Sequence, residues 1–311
     1  MKRGACVVSA VLLAAAASLF GTGCSRNRQE AVLEANKGDL EVKMNVDGAI
    51  NHYDQATRLD PTNHKIFFKM AMAYRKKEEW DKVASTLARA TSLAPTFANY
   101  WFERGYAIEQ QARKKTLTWE EAKEPFTKCI QADPNYAECY EELGTVFLWT
   151  DDEQKALENY NKAIEHEPNN IGYYTQLAAL YLDLGFAKEA EQVLKEAKAF
   201  VKPDDKTQAK SVYGLHVLLA RVYQERGSQP EQVTELEAAK AVVPAEGAES
   251  IQILYILGSS YALLTPPRSA EAISMLKGFS SRACKGAKAS TYKVECETTS
   301  SLVSKLGGTL Q

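Results

Sequence analysis

The chain has 311 residues, 45% of them apolar and 25% charged, with a formal net charge of −2. That apolar content excludes a disordered or collagen-like chain, and a pI near 6.2 excludes a broad basic face for nucleic acid. Tyrosine, at 15, outnumbers phenylalanine, at 10, and only 4 histidines serve the whole chain.

Lys2 and Arg3 precede an uncharged run rich in Ala, Val and Leu from Ala5 to Phe20. A mature membrane-spanning helix needs about 20 apolar residues, so this basic start and short apolar core read as a secretory signal. The run ends Leu19-Phe20-Gly21-Thr22-Gly23-Cys24, then Ser25-Arg26-Asn27. This resembles the lipobox of bacterial lipoproteins, in which small residues precede a cysteine that is acylated and becomes the first residue. It departs from that pattern at Gly21, where leucine is commonest. The resemblance implies a signal peptide over 1–23, lipidation (palmitate included) at Cys24, and, because Ser25 is not Asp, a periplasm-facing place on the outer membrane. The other reading is an ordinary cleaved signal with Cys24 an incidental thiol. Removing 1–23 leaves 288 residues of net charge −4, since Lys2 and Arg3 leave with it.

The rest of the chain repeats. Pro61, Pro95, Pro134, Pro168, Pro203 and Pro244 follow one another at intervals of 34, 39, 34, 35 and 41. Ala56, Ala90, Cys129, Ala163 and Ala239 stand five before a proline, Ala197 six before, with Tyr53, Leu87, Phe126, Tyr160, Leu194 and Leu236 three earlier again. Downstream of each proline stand the small residues Ala71, Gly105, Gly144, Ala178, Ala220 and Gly258. Each is followed three positions later by Tyr74, Ile108, Phe147, Tyr181, Tyr223 or Tyr261. Residue by residue this resembles the tetratricopeptide repeat family. The resemblance implies an all-α, right-handed superhelical solenoid of helix-turn-helix repeats.

The copies run roughly 30–63, 64–97, 98–136, 137–170, 171–204, 213–246 and 251–284. The first has a poor first helix, because Asn36, Lys37 and Gly38 fall on its core positions. Residues 24–46 are therefore expected to form a lipidated tether and imperfect N-terminal cap, and 47–285 the solenoid. About five extra residues around Gln110–Thr118 lengthen a turn, and Pro125 is expected to kink the helix that follows. Over 286–311 the residues Tyr292, Cys296, Thr299, Val303 and Leu306 share one face of a C-terminal capping helix that stops at Gly307-Gly308.

Nothing in the sequence asks for catalysis, a metal or another cofactor. His52, His64, His166 and His216 fall at different positions of separate repeats, and no ligand-spaced Cys/His pair, phosphate loop or nucleophile elbow occurs. The chain is therefore expected not to be an enzyme and to have no small-molecule substrate. Cys129 and Cys139 are expected to be neighbours in a stacked solenoid, and Cys284 and Cys296 bracket the turn into the capping helix. In an oxidising compartment each pair is either a disulfide or two buried thiols.

In the family the groove is lined by the second, fifth, ninth and twelfth residues of each first helix. The resemblance places Lys65, Phe68, Met72, Arg75, Phe102, Tyr106, Glu141, Arg221 and Tyr255 there. Phe68, Met72, Phe102 and Tyr106 form an aromatic strip flanked by Lys65, Arg75 and Lys76, which suits an apolar helix or extended peptide with acidic flanks. The plain alternative is that some of these side chains fill the inside of the stack. Similar lipoproteins include pilotins of type IV pilus secretins and subunits of outer-membrane assembly, gliding-motility and polysaccharide-secretion machines. The expected partner is thus an envelope protein or peptide segment. An assembly factor or scaffold is the first reading, and a structural subunit or a regulator of a cell-wall enzyme the second.

Overall fold

The computed structural model describes residues 26–202, 205–243 and 247–310. Cys24 and the signal segment 1–23 lie outside the described residues, as do Pro203 and Pro244. Every regular element described is helical. The chain divides into two compact units, 1–159 and 160–311, with the boundary inside one helix.

In the first unit α1 (26–41) is followed by α2 (Val46–Leu59), α3 (His64–Lys76), α4 (Trp80–Leu93), α5 (Ala98–Arg113), α6 (Lys123–Ala132) and α7 (Ala137–Trp149). α8 (Glu153–His166) spans the boundary. The second unit continues with α9 (Ile171–Asp183), α10 (Ala187–Lys198), α11 (Ala209–Glu225), α12 (Gln229–Val242), α13 (Ala248–Leu263), α14 (Ser269–Ala283) and α15 (Lys293–Lys305). From α2 to α7, and again from α9 to α15, each helix packs on its chain neighbours. α5 also reaches α7, α9 reaches α11 and α13 reaches α15. This is the arrangement of a helical repeat solenoid, in which each pair buries its apolar face against the next.

The repeat residues explain the geometry. A Cβ on Gly105 would lie 2.7 Å from the Phe126 ring, and one on Gly258 would lie 2.9 Å from Leu276. Glycine at this position lets the two helices of a pair touch, and Phe126 and Leu276 fill the contact with no exposure. The turns between pairs are tied by aromatic donors. Trp101 Nε1 donates to the Pro95 carbonyl at 2.8 Å, Tyr140 Oη to that of Pro134 at 3.1 Å, and Tyr174 Oη to that of Pro168 at 2.9 Å. A proline cannot continue the helix, and an aromatic six residues on satisfies its carbonyl. Part of the tyrosine excess thus serves the turns as well as the interhelical gaps.

Three expectations need correcting. Residues 26–41 form a regular helix rather than a tether: Ala31, Ala35 and Gly38 are buried against α2, and Gly38 lies beneath the Tyr53 ring. The buried stripe is offset from the register counted back from Pro61, so Asn36 and Lys37 face outward. Pro125 does not kink a helix interior, because α6 begins at Lys123 after a 3-10 turn over Trp119–Ala122. Pro125 thus occupies the first turn of α6, where a missing N–H leaves no bond unmade. The extra residues before it divide between an extension of α5 to Arg113 and the turn that follows.

At the C-terminus a 3-10 segment, Gly286–Ser290, leads into α15. Thr299 and Val303 are buried, Tyr292 and Cys296 pack with Ile251, Phe279 and Ala283, and Leu306 packs near Leu257 and Tyr261. Cys284 and Cys296 are joined, with Cα atoms 5.7 Å apart; Cys129 and Cys139, both fully buried, are joined with Cα atoms 6.2 Å apart.

Candidate interaction face

The aromatic strip assembles where α3 meets α5. Phe68, half-buried on α3, stacks on Tyr100 at 4.7 Å between ring centroids, and Met72 packs in the same cluster. On α5, Phe102 lies 6.5 Å from Tyr106 and 5.5 Å from Tyr136, and Tyr106 meets Trp80 edge-on at 5.7 Å. Phe68, Phe102 and Tyr106 are each partly accessible, so the strip both fills the stack and shows an edge to solvent.

The charges are arranged differently from the sequence expectation. Arg75 is not held ready for an acidic partner: its Nη1 donates to Oε1 of the buried Glu103, and its guanidinium lies over the Tyr106 ring, 5.0 Å from the centroid. Burial pushes the Glu103 carboxyl up, against the opposing pull of Arg75. Further along α5, Glu109 is buried and accepts from Arg113 Nε at 2.9 Å. One oxygen each of Glu103 and Glu109, Oε2, has no hydrogen-bond partner among the described residues. Burial, then the charges of Glu141 and Glu109, push the Glu142 carboxyl well above the ordinary carboxylate range. The carboxyl groups of this face are therefore mostly committed, while Lys65 and Lys76 are exposed.

The sequence reading missed several of these groups. Glu103 and Glu142 fall beside the canonical groove positions, and only the packing of successive first helices brings them in. Trp119 and Trp149 stack with centroids 5.0 Å apart and planes within 5° of parallel, and Arg113 lies 5.2 Å above Trp119. The available signal was an arginine and a tryptophan bracketing the inserted turn.

Of the remaining proposed groove residues, Glu141 is half-buried on α7 of the first unit, and Arg221 and Tyr255 lie in the second unit. Arg221 donates to Asp183 at 3.0 Å and pairs with Glu225 at 3.3 Å on an exposed face of α11. Tyr255 packs 5.1 Å from Phe279, within the apolar cluster beneath the cap.

Three histidines act as hydrogen-bonding struts. His52 meets Glu34 at 2.9 Å, His64 meets the Tyr100 hydroxyl at 2.9 Å, and His216 meets the buried Glu235 at 2.6 Å. Among the described residues no group of three His, Cys, Asp or Glu side chains is placed to hold a metal ion, and no helix is long and apolar enough to cross a membrane.

Comparisons with known proteins agree with this architecture. The family model described as "Tetratricopeptide repeat protein 21 forth ARM domain" matches residues 140–244. Among solved structures, a tetratricopeptide repeat protein from Parabacteroides merdae superposes with a TM-score of 0.60 at 15% identity, over 87% of this chain and 99% of that one. The C-terminal part of a repeat-containing protein from Cytophaga hutchinsonii gives 0.60 at 14% identity, over 82% and 98%. Pseudomonas aeruginosa PilF gives 0.53 at 17% identity, over 71% and 95%. At these identities the likeness shows the fold alone: the chain folds as a helical repeat solenoid like those of the tetratricopeptide repeat proteins it matches.

Proposed function

We propose that this protein is a non-catalytic interaction scaffold or assembly factor, anchored by acyl chains at Cys24 in the bacterial envelope, where it holds a protein segment on its first unit. The observation that carries the interaction reading is the partly accessible strip of Phe68, Met72, Phe102 and Tyr106 across α3 and α5. Large aromatic groups that keep an edge in water supply the anchors of protein interfaces. Because Arg75 is spent on Glu103, the partner is recognised chiefly by apolar side chains, with the exposed Lys65 and Lys76 meeting any acidic flank. The lipobox pattern supports the anchor, and the outer membrane is its proposed address. An anchored repeat stack with no chemistry of its own suits a pilotin-like task, helping an outer-membrane machine to assemble.

The test is cross-linking capture from intact envelopes with the wild type, Phe102→Ala and, as a control in the second unit, Arg221→Ala. Capture of one defined envelope protein should fall about tenfold with Phe102→Ala and hold with Arg221→Ala. Undiminished capture by a folded Phe102→Ala protein refutes the assignment. Palmitate labelling that persists in Cys24→Ala refutes the anchor separately.

A further inference from the structure

α1 has two apolar faces where a capping helix needs one. Ala31, Ala35 and Gly38 are buried against α2. On the opposite side Leu33 and Leu40 are 61% and 78% exposed, and Met44, in the following turn, is 89% exposed. The spacing of seven residues sets Leu33 and Leu40 on one stripe of α1, with Val32 at its flank 48% exposed. Leu33 and Leu40 line, with Leu59 of α2, a shallow recess of about 370 Å³ rimmed by Glu30 and Lys37. Among the described residues the other exposed large apolar side chains, Phe97, Trp149, Phe186, Leu263 and Val294, are scattered over separate parts of the chain. The outermost helix of a repeat stack ordinarily shows water a polar face, so a concentrated apolar stripe there calls for a cover.

We infer that the cover is the lipid bilayer, and that α1 is a membrane-contact helix lying in the interface beside the anchor. The inference rests on the reading of Cys24 as acylated. Cys24 stands two positions before residue 26, the first described residue of α1, and two residues reach at most about 7 Å. Acyl chains attached there enter the membrane next to the stripe. Between residues 26 and 44 the cations Arg26, Arg28, Lys37 and Lys43 are balanced by Glu30, Glu34, Asp39 and Glu41. The contact is therefore driven by apolar burial and not by attraction to anionic head groups, with Lys37 able to lay its stem along the surface and keep its ammonium in water. An acyl anchor fixes only the distance of the protein from the membrane; a helix lying in the interface also fixes how the first unit is turned.

The test uses the native acylated protein in vesicles containing a nitroxide-labelled lipid, with a bimane fluorophore on Leu40→Cys or, on the exposed side of α6, Lys128→Cys. Quenching at Leu40→Cys should exceed that at Lys128→Cys by about threefold or more. It should be equal in phosphatidylcholine and in phosphatidylglycerol mixtures, and unaffected by salt. The unacylated chain 25–311 should also sediment with vesicles about tenfold less after Leu33→Glu with Leu40→Glu, exposed changes that leave the melting temperature in place. Equal quenching at the two sites in protein that still floats with vesicles overturns the proposal while leaving the anchor intact. So does binding confined to anionic vesicles and abolished by salt, or a dimer in sedimentation equilibrium that the double variant dissolves. Protein that fails to float and carries no palmitate fails the anchor reading instead.

Discussion

The two units use one framework and show different faces. α5 of the first unit and α11 of the second each pack on the next helix through small and large apolar partners, Gly105 with Phe126 in one and Ala220 with Leu236 in the other. At the fifth and ninth positions of the repeats that begin at 98 and 213, the first unit carries Phe102 and Tyr106, the second Val217 and Arg221. α3 and α9 repeat the contrast, with Phe68 and Met72 against Thr175 and Ala179. Both sets fold the same way, so the aromatic strip is not a requirement of the stack. What varies while the framework holds is what the protein offers to a partner.

The sharpest way to break that equivalence is to remove one framework side chain from each unit. Phe126 and Leu194 are both fully buried. Phe126→Ala should cost about 3–5 kcal/mol and Leu194→Ala about 2–5 kcal/mol in urea unfolding, through lost burial and the cavity left behind. A cost in only one unit would show that the framework is not shared.

The disulfides separate the units next. Cys129–Cys139 crosses from α6 to α7 inside the first unit, whereas Cys284–Cys296 holds the cap to α14. Replacing both members of the first pair by serine should cost about 2–3 kcal/mol globally, from the freed loop entropy of the unfolded chain. Replacing the second pair should act locally, read as faster amide exchange in α15 with little change elsewhere.

How much of this was legible in the sequence follows from what each feature depends on. The 34-residue period of prolines and small residues is local chemistry repeated, so the helix pairs, the turns and the face carrying Phe68 and Phe102 could be read directly. The start of the stack could not, because counting back from Pro61 assumes a register that α1 does not keep: its buried stripe is Ala31, Ala35 and Gly38. The partners of Arg75 were hidden for another reason. Glu103 lies 28 residues away, and a charge pair across two repeats depends on side-chain direction as well as on face. Tyr255 shows the same limit, since its groove-type position carries no mark of the cap that packs against it.

Glu142 tests a feature the second unit handles in the opposite way. Glu235 is buried where Glu142 is half-buried, but hydrogen bonds from His216 and Lys198, each 2.6 Å, outweigh burial and hold its carboxyl below the ordinary range. Glu142 is raised instead, so the folded state binds a proton that the unfolded chain releases above its ordinary carboxyl range. Its contribution therefore falls as pH rises from about 5 towards 8. Glu142→Gln keeps the shape and removes the ionisation. Its melting temperature should exceed that of the wild type by a margin that grows with pH over that range, and a margin independent of pH would show that Glu142 is charged in the folded protein.

The smallest effect lies in the turns within pairs, where the two units solve one backbone problem differently. In four of these turns the residue before the last is left-handed: Glu78 (φ 55°) and Asp151 (φ 56°) in the first unit, Gly185 (φ 82°) and Gly227 (φ 71°) in the second. A side chain in that conformation costs roughly 1–2 kcal/mol, which glycine avoids. Glycine also has more freedom to lose on folding, and that offsets about 0.4–1 kcal/mol of the gain. The two terms leave Glu78→Gly stabilising and Gly185→Ala destabilising, each by about 0.5–1 kcal/mol. Glu78 is exposed and a Cβ on Gly185 would meet nothing within 4 Å, so packing does not intrude on either change. Opposite shifts in urea midpoint, with m unchanged, are the expected result; shifts of the same sign would mean that the unfolded-state term dominates at both turns.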